Sequence, residues 1–311
     1  MTTVLVTGGA GFIGSNIVED LISQGYNVKI LDDFSTGNDQ NISKFIDKIE
    51  LVKGSITDME VVKKAVKDVD YISHQAALPS VTRSVEEPVP SAEVNIIGTL
   101  NLLVAARDSG VKRIVYASSS SIYAGVEGLP KKESMETIAI SPYGLTKIAN
   151  EQYFRMFHDI YGFESVGLRY FNVFGPRQNP KSEYAAAIPK FISMILDDKS
   201  PPVYGDGKQT RDFTFVKDAA MSNIISFKVK NANGSAFNIA TGKQTSVNDL
   251  ITKINEILGK QIKTVHEDPR PGDPKHSLAD ISQASKFLGY KPKHDLESGL
   301  KITIDWFKER K

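Results

Sequence analysis

A strand-forming run, Val4–Thr7, breaks directly into Gly8-Gly9-Ala10-Gly11-Phe12-Ile13-Gly14, and helical spacing begins at Phe12. Few local patterns restrict a fold as tightly. Gly8, Gly11 and Gly14 fall in G-x-x-G-x-x-G spacing at a strand-to-helix corner. Missing side chains there permit a tight turn, close approach of the backbone to a pyrophosphate, and close packing of helix on strand. The start of the helix adds amide donors and a partial positive charge. The next strand, Val28–Asp32, ends on a carboxylate 18 residues after Gly14. A carboxylate there can hold a ribose 2′-hydroxyl and would repel a 2′-phosphate. The corner therefore predicts a dinucleotide site, with NAD preferred over NADP.

The alternation continues through the first half. Glu50–Val52, Tyr71–His74, Ile114–Ser118 and Val166–Tyr170 read as buried strands, and Phe12–Gln24, Met59–Val66, Val94–Asp108 and Tyr143–Tyr161 carry helical spacing. Gly25 and Gly110 fall where helices should stop. This predicts the α/β class, with a Rossmann-type doubly wound parallel sheet covered on both faces. From Pro176 the pattern changes to prolines, aromatics, a helix near Ile188–Leu196 and short strands near Phe213–Val216 and Phe237–Ile239. Helices near Val247–Leu258 and Leu300–Lys308 complete it. Residues 1–175 are expected to bind the dinucleotide, with later segments returning to that domain, and residues 176–311 to form mainly a smaller α/β substrate domain.

Composition narrows the classes. Of 311 residues, 38 are Lys or Arg and 37 Asp or Glu, a net charge of +1 that argues against a general nucleic-acid or membrane-surface binder. There is no cysteine, so disulfides and thiolate chemistry are excluded. The five histidines lack metal-ligand spacing; no metal is expected, and His74 reads as structural. The N-terminus enters a strand without a basic leader, and no apolar run approaches 18 residues. A soluble cytoplasmic protein is expected.

Reaction chemistry is suggested by Ser141-Pro142-Tyr143-Gly144-Leu145-Thr146-Lys147. Pro142 suits the first helical position and Ser141 the cap. Tyr143 and Lys147 then lie one turn apart on one face. A phenol ordinarily holds its proton to a pKa of about 10, and a nearby ammonium favours the phenolate. Such a pair can move a proton on or off an alcohol while hydride leaves carbon. Tyr-x-x-x-Lys alone is a common chance pattern; its context gives it weight.

That context resembles the extended short-chain dehydrogenase/reductases, specifically the UDP-hexose 4-epimerases, over essentially the whole chain. The resemblance is carried by Thr7–Gly14, Asp32-Asp33-Phe34-Ser35-Thr36-Gly37, His74-Gln75-Ala76-Ala77, Asn95-Ile96-Ile97-Gly98-Thr99 and Ser118–Tyr123. It continues through Tyr143–Lys147, Leu168-Arg169-Tyr170-Phe171-Asn172, Arg211-Asp212-Phe213 and Arg270-Pro271-Gly272-Asp273. It implies that Ser119, four residues before Tyr123, bonds the sugar O4, with Ser120 and Ser121 left open by the serine run. Tyr143 would take the O4 proton as C4 hydride passes to NAD, while Lys147 holds the nicotinamide ribose and lowers the phenol's pKa. NAD would be regenerated each turnover and tightly held. The cofactor set implied is Gly8, Gly11, Phe12, Ile13, Gly14, Asp32, Asp33, Phe34, Ser35, Gly37, Ser55, Ile56, Gln75, Ala76, Ala77, Asn95 and Tyr170, besides Tyr143 and Lys147. Ser55 stands where the family usually has an adenine-contacting Asp, and Asp58 is nearby.

On the substrate side the resemblance implies Phe171 near the nicotinamide, and Asn172 toward the diphosphate with Arg211 and Arg270 as its clamps. The uridine pocket falls on Ala185–Lys190, including Ala187 and Ile188, and on Tyr204–Gly207, with Asp273 close to the substrate. Ser277, four residues beyond Asp273, stands where the family varies between tyrosine and a small residue. A small residue leaves room for a 2-acetamido group. His276–Ser282, Leu168–Gly175 and Tyr184–Phe191 also resemble the N-acetylhexosamine branch. The expected reaction is C4 epimerisation of UDP-GlcNAc and UDP-GalNAc, and of UDP-Glc and UDP-Gal, through a transient 4-keto sugar. A homodimer is implied through Val94–Asp108 and Tyr143–Tyr161. A UDP-uronic acid 4-epimerase, a sugar-nucleotide 4,6-dehydratase and a non-catalytic NAD-binding regulator stand as alternatives. The dehydratase is weakened because Ser119–Tyr123 carries no carboxylate, and the regulator because both Tyr143 and Lys147 are present.

Overall fold

The computed structural model describes residues 1–180, 187–268 and 275–310. Seven strands form the central sheet: β1 Thr3–Thr7, β2 Asn27–Asp32, β3 Ile49–Lys53, β4 Tyr71–His74, β5 Arg113–Ser119, β6 Ser165–Tyr170 and β7 Ser235–Ile239. Their order is β7-β6-β5-β4-β1-β2-β3, every adjacent pair parallel. Val4, Leu5 and Val6 are all fully buried, as expected of a strand covered on both faces rather than one. Strand order reverses where β1 meets β4, which opens a crevice at their carboxyl ends.

Eight helices matter to the site: α1 Phe12–Ser23, α2 Met59–Val66, α3 Pro88–Asp108, α4 Pro142–Tyr161, α5 Ala187–Leu196, α6 Val216–Ser226, α7 Val247–Leu258 and α8 Leu296–Lys308. α1 and α6 cover one face of the sheet, where Ile17, Val18 and Leu21 pack in one cluster with Ala219 and Ala220. α2, α3 and α4 cover the other through Val62, Leu102, Leu103 and Phe154. α5, α7 and α8 close a third cluster around Phe174, Ile192, Ile254 and Ile304.

Three elements depart from the sequence reading. The helix expected from Val94 begins at Pro88, because two prolines fit its first turn, and it carries a π-helical turn at Glu93–Gly98. By length and composition α3 could cross a membrane, with a mean hydropathy of 1.4; Leu102, Leu103, Ala105 and Ala106 pack it into the core. α6 was not anticipated. The strand near Phe237–Ile239, read as part of the second half, is the edge of the main sheet.

Candidate active site

The turn after β1 is shaped by what a side chain would hit. Gly8 has φ +68°, and a Cβ there would stand 2.7 Å from the Ala76 nitrogen. A Cβ on Gly14 would stand 2.0 Å from the Gly8 carbonyl oxygen. α1 starts at Gly11 without any side-chain cap, so the amides of Phe12 and Ile13 open its first turn toward the crevice. Asp32, 7 % exposed, accepts from the Ala10 and Phe34 amides at 2.8 Å each and ties the glycine turn to the exit of β2. Burial pushes its carboxyl up, against the pull of those amides. Asp33 accepts from the Ser35 amide and hydroxyl at 2.9 and 2.6 Å in the following exposed loop, and Gly37 returns beside Asp32.

After β3, Ile56 is buried while the Ser55 hydroxyl pairs with that of Thr57 at 2.8 Å. Asp58 caps α2, its carboxylate accepting from the Glu60 and Val61 amides. Gln75, Ala76 and Ala77 leave β4 alongside the glycine turn. Gln75 Nε2 donates to Ser73 and Asn223, and its buried Oε1 has no partner among the described residues. A side-chain-free cradle, an uncapped helix start and an orphaned amide oxygen at the switch point of the sheet fit a dinucleotide.

The candidate proton-transfer residues converge at the end of β5. Ser141 caps α4 on the Gly144 amide at 3.1 Å, Pro142 occupies the first turn, and Gly162, at φ +65°, ends the helix. The half-buried Tyr143 phenol faces Ser119, whose hydroxyl pulls the phenol's pKa down. Ser121 instead bonds Ser119, donating through its amide at 3.2 Å and its hydroxyl at 2.9 Å, and Ser120 begins the short turn Ser120–Tyr123. Lys147, 4 % exposed, donates to the Ala117 carbonyl at 2.8 Å and sits 5.7 Å from the Tyr143 ring centre.

The phenol is not depressed as the sequence argument anticipated. Burial pushes Tyr143 up to about 12, with Ser119 pulling the other way. Burial also takes Lys147 down to about 8, against the pull of Glu151. Desolvation is the largest influence on each of the two groups.

Around this pair the polar side chains are engaged. Asn95 accepts from the Leu78 amide at 2.8 Å and donates to the Leu78 carbonyl and to Thr146, each at 3.2 Å. It therefore holds the chain beyond Ala77 against α4. Tyr170 accepts from Asn223 Nδ2 at 2.6 Å on α6. His74 bridges the Thr7 and Thr99 hydroxyls at 2.7 and 2.9 Å, and burial lowers its pKa to about 3.

On the other side, Phe171 is buried and Asn172 has φ +36°, donating to the Asp212 carbonyl at 3.1 Å. A non-glycine residue with positive φ at such a place is a strained position held by its surroundings. The Asp212 carboxylate accepts from the Thr241, Gly242 and Ala279 amides at 2.9, 3.0 and 3.2 Å. The Ser277 amide donates to the Thr210 carbonyl at 3.0 Å, and Arg211 Nη1 donates to the same oxygen at 2.9 Å. Ser277 and Arg211 are thus brought together. Ala187 and Ile188 start α5, Ile188 buried. Tyr204 ends a strand, Pro202–Tyr204, paired with Val265–Glu267. Arg270, Asp273, Tyr184 and Ala185 lie outside the described residues.

Sequence reasoning passed over Glu151, whose carboxylate joins this site from one turn beyond Lys147. The same four-residue spacing that picked out Tyr143 and Lys147 reaches it.

Comparison with known proteins places this geometry. The family model described as GDP-mannose 4,6 dehydratase matches residues 5–303. A putative UDP-glucose 4-epimerase of Methanocaldococcus jannaschii is 42% identical, covering 98% of this chain and 98% of its own. The structure of a UDP-N-acetylglucosamine 4-epimerase from Methanobrevibacter ruminantium, in complex with UDP-N-acetylmuramic acid, superposes with a TM-score of 0.95 at 42% identity, covering 100% of this chain and 99% of that one. A UDP-glucose 4-epimerase of Thermus thermophilus in complex with NAD gives a TM-score of 0.90 at 35% identity, with 99% of each chain covered.

Proposed function

This chain belongs to the extended short-chain dehydrogenase/reductase family as an NAD-dependent UDP-sugar 4-epimerase, and from that premise we propose that it interconverts UDP-GlcNAc and UDP-GalNAc and also turns over UDP-Glc and UDP-Gal. The reaction reading is carried by one observation: Ser119, Tyr143 and Lys147 meet at the carboxyl end of β5, with Lys147 on the Ala117 carbonyl at 2.8 Å and 5.7 Å from the Tyr143 ring centre. The acetamido reading is supported by Ser277, a small side chain whose backbone shares the Thr210 carbonyl with Arg211.

In this reading Ser119 holds the sugar O4 and Tyr143 takes its proton. When bound, NAD accepts the C4 hydride and gives it back, and its nicotinamide ring adds positive charge to the site. Because burial holds the free phenol near 12, the base form depends on charge brought in by ligands and on Lys147 staying protonated. Once the 4-keto sugar has turned its other face to the cofactor, Tyr143 returns the proton to O4, so the phenol's base form is restored. Asn172, Arg211 and Arg270 hold the diphosphate, which leaves the sugar free to turn. Phe12, Ile13 and Asp32 hold the pyrophosphate and adenosine ribose of the cofactor. Residues 1–175, with β7 and α6 returning to them, make up the dinucleotide half, and the remainder up to residue 311 serves the UDP-sugar.

We assign two chains to the working assembly. α3 and α4 pack side by side, and their outer sides expose Val89, Ile97, Leu145, Met156 and Ile160 at 39–65 %. An apolar stripe of this size on adjacent helices suits a second copy of itself. A cytoplasmic site of action accords with a soluble nucleotide-sugar substrate.

The test is incubation of the purified protein with UDP-GlcNAc, UDP-Glc and UDP-glucuronate in turn, with products resolved by chromatography or NMR. The expected products are the C4 epimers of the first two. A 4-keto-6-deoxy product, or turnover of the uronate alone, would overturn the proposal. Tyr143→Phe should retain NAD and lose about 10²–10⁴-fold in kcat, the usual worth of a positioned proton acceptor.

A further inference from the structure

The end of β5 meets α4 through three consecutive rungs. The Ala117 carbonyl accepts from Lys147 at 2.8 Å, the Ser118 hydroxyl donates to Glu151 Oε1 at 2.5 Å, and Ser119 faces the Tyr143 phenol. Residues 143, 147 and 151 lie one turn apart on the same side of the helix. The first two serve the reaction described above; Glu151 has no part in it. Yet its side chain is only 11 % exposed, and Arg169 of β6 grips it in a bidentate fork, Nε at 2.9 Å and Nη2 at 2.7 Å.

Arg169 carries the connection onward. Its Nη1 donates to the Tyr123 hydroxyl, which donates to Asn238 Oδ1 on β7 at 3.0 Å. The Asn238 amide donates to the carbonyls of Lys131 and Asp280 at 2.9 and 3.1 Å. The Lys131 amide in turn donates to the Leu278 carbonyl at 2.8 Å, next to Ser277. One buried chain of hydrogen bonds thus runs from the helix bearing the base to the segment bearing the sugar-pocket serine. A buried ion pair adds little net stability compared with apolar side chains of the same shape, so its worth lies in what it holds in place.

We propose that Glu151, locked by Arg169, is a positioning residue: it fixes the register of β5 against α4 in which Ser119, Tyr143 and Lys147 converge, and it supplies the negative charge that faces the buried Lys147 ammonium. This rests on the epimerase reading of those three residues. The opposing pulls on Lys147, burial downward and Glu151 upward, agree with it. The groups facing the pair are Lys147 on α4, Arg169 on β6, Tyr116 on β5, and Tyr123 and Glu133 in the chain that follows. Lys147 also faces Tyr143, and His74 from β4, which stays neutral.

The experiment compares the NAD-loaded wild type, Glu151→Gln, and Glu151→Gln/Arg169→Met for kcat, KM and NAD content across the pH range. The double variant guards against misfolding, because it leaves no unpaired buried guanidinium. Both variants should keep NAD and hold KM within about threefold while kcat falls about 10- to 100-fold at alkaline pH. Their alkaline limb should move by about one unit toward acid, so that activity partly returns at lower pH. A folded, NAD-loaded double variant with the wild-type profile would overturn the proposal, as would a loss equal at every pH. If Tyr143→Phe is inactive in the same assay while the double variant behaves as wild type, the trio stands and Glu151 falls. A wild type that epimerises no UDP-sugar would remove the trio's role, and this proposal with it.

Discussion

The Lys147 ammonium acts on the His74 ring, and burial moves both groups toward their neutral forms, to about 3 and about 8. For His74 this makes stability depend on pH. In the unfolded chain the ring takes a proton near its ordinary pKa of about 6.5, whereas in the fold it resists until about 3. The unfolded state therefore binds more protons throughout that interval. The contribution is complete above the unfolded value and is lost as pH falls toward the folded one, by about 2 kcal/mol at pH 5. His74→Gln should flatten the fall in Tm between pH 7 and pH 5; parallel melting curves would refute this. At Ser277 the argument is one of volume. Ser277→Tyr should overfill the acetamido space at about 1–3 kcal/mol, roughly 5- to 150-fold in kcat/KM, for UDP-GlcNAc while sparing UDP-Glc. Equal loss on both sugars, measured in one competition assay, would show that the pocket is limited elsewhere. That Tyr143 and Lys147 share a helix face was legible from spacing, but their proton affinities were not, because desolvation depends on what the rest of the chain packs around them.

Elements were legible where one face differs from the other. α2 and α7 announce themselves by periodic apolar residues, and their caps, Asp58 and Ser246, stand where the helices begin. α6 gave no such signal: Val216, Asp218, Ala219, Ala220, Ser222, Asn223, Ile224 and Ser226 are all buried, so polar and apolar residues alternate without a stripe. Its polar residues are used inside, Asn223 on Tyr170 and Asp218 on the Lys293 and His294 amides. β7 was found as a strand, but its place in the main sheet depends on its neighbour β6, which its own residues do not encode. The glycine corner was the most legible element, since its constraint is local. Gly14→Ala would force a Cβ to 2.0 Å from a backbone oxygen, with no flexible side chain to give way. The variant should purify without NAD and melt at lower temperature. Gly110→Ala makes the contrast: its φ is +72° with nothing within 4 Å, so it should cost about 1–2 kcal/mol of backbone strain and keep NAD. NAD released by heat and quantified by absorbance separates the two, and an NAD-replete Gly14→Ala would sink the cradle argument.

In the whole molecule, the helix that carries Tyr143 and Lys147 also forms part of the surface. Tyr143 and Lys147 face inward from α4 while Leu145, Met156 and Ile160 face outward. α1, on the far side of the sheet, is instead tied to the second half of the chain: Arg177 and Lys217 both pair with Glu19, at 2.9 and 2.8 Å. Burial raises Glu19's pKa, yet the two cations together bring it below its ordinary value. The cofactor side is therefore braced within one chain, whereas the α3–α4 side is left apolar and open. If two chains meet there, α4 is held between the sheet and a partner, and the register of its inner face depends on assembly. Ile97→Glu/Ile160→Glu places four like charges at the symmetric contact and touches no residue assigned to catalysis. Sedimentation should find the wild type as two chains and the variant as one. The variant should still bind NAD through the intact glycine corner while losing epimerisation per chain. Wild-type protein that sediments as a single chain at micromolar concentration, or a variant that stays paired, would remove α3 and α4 as the contact.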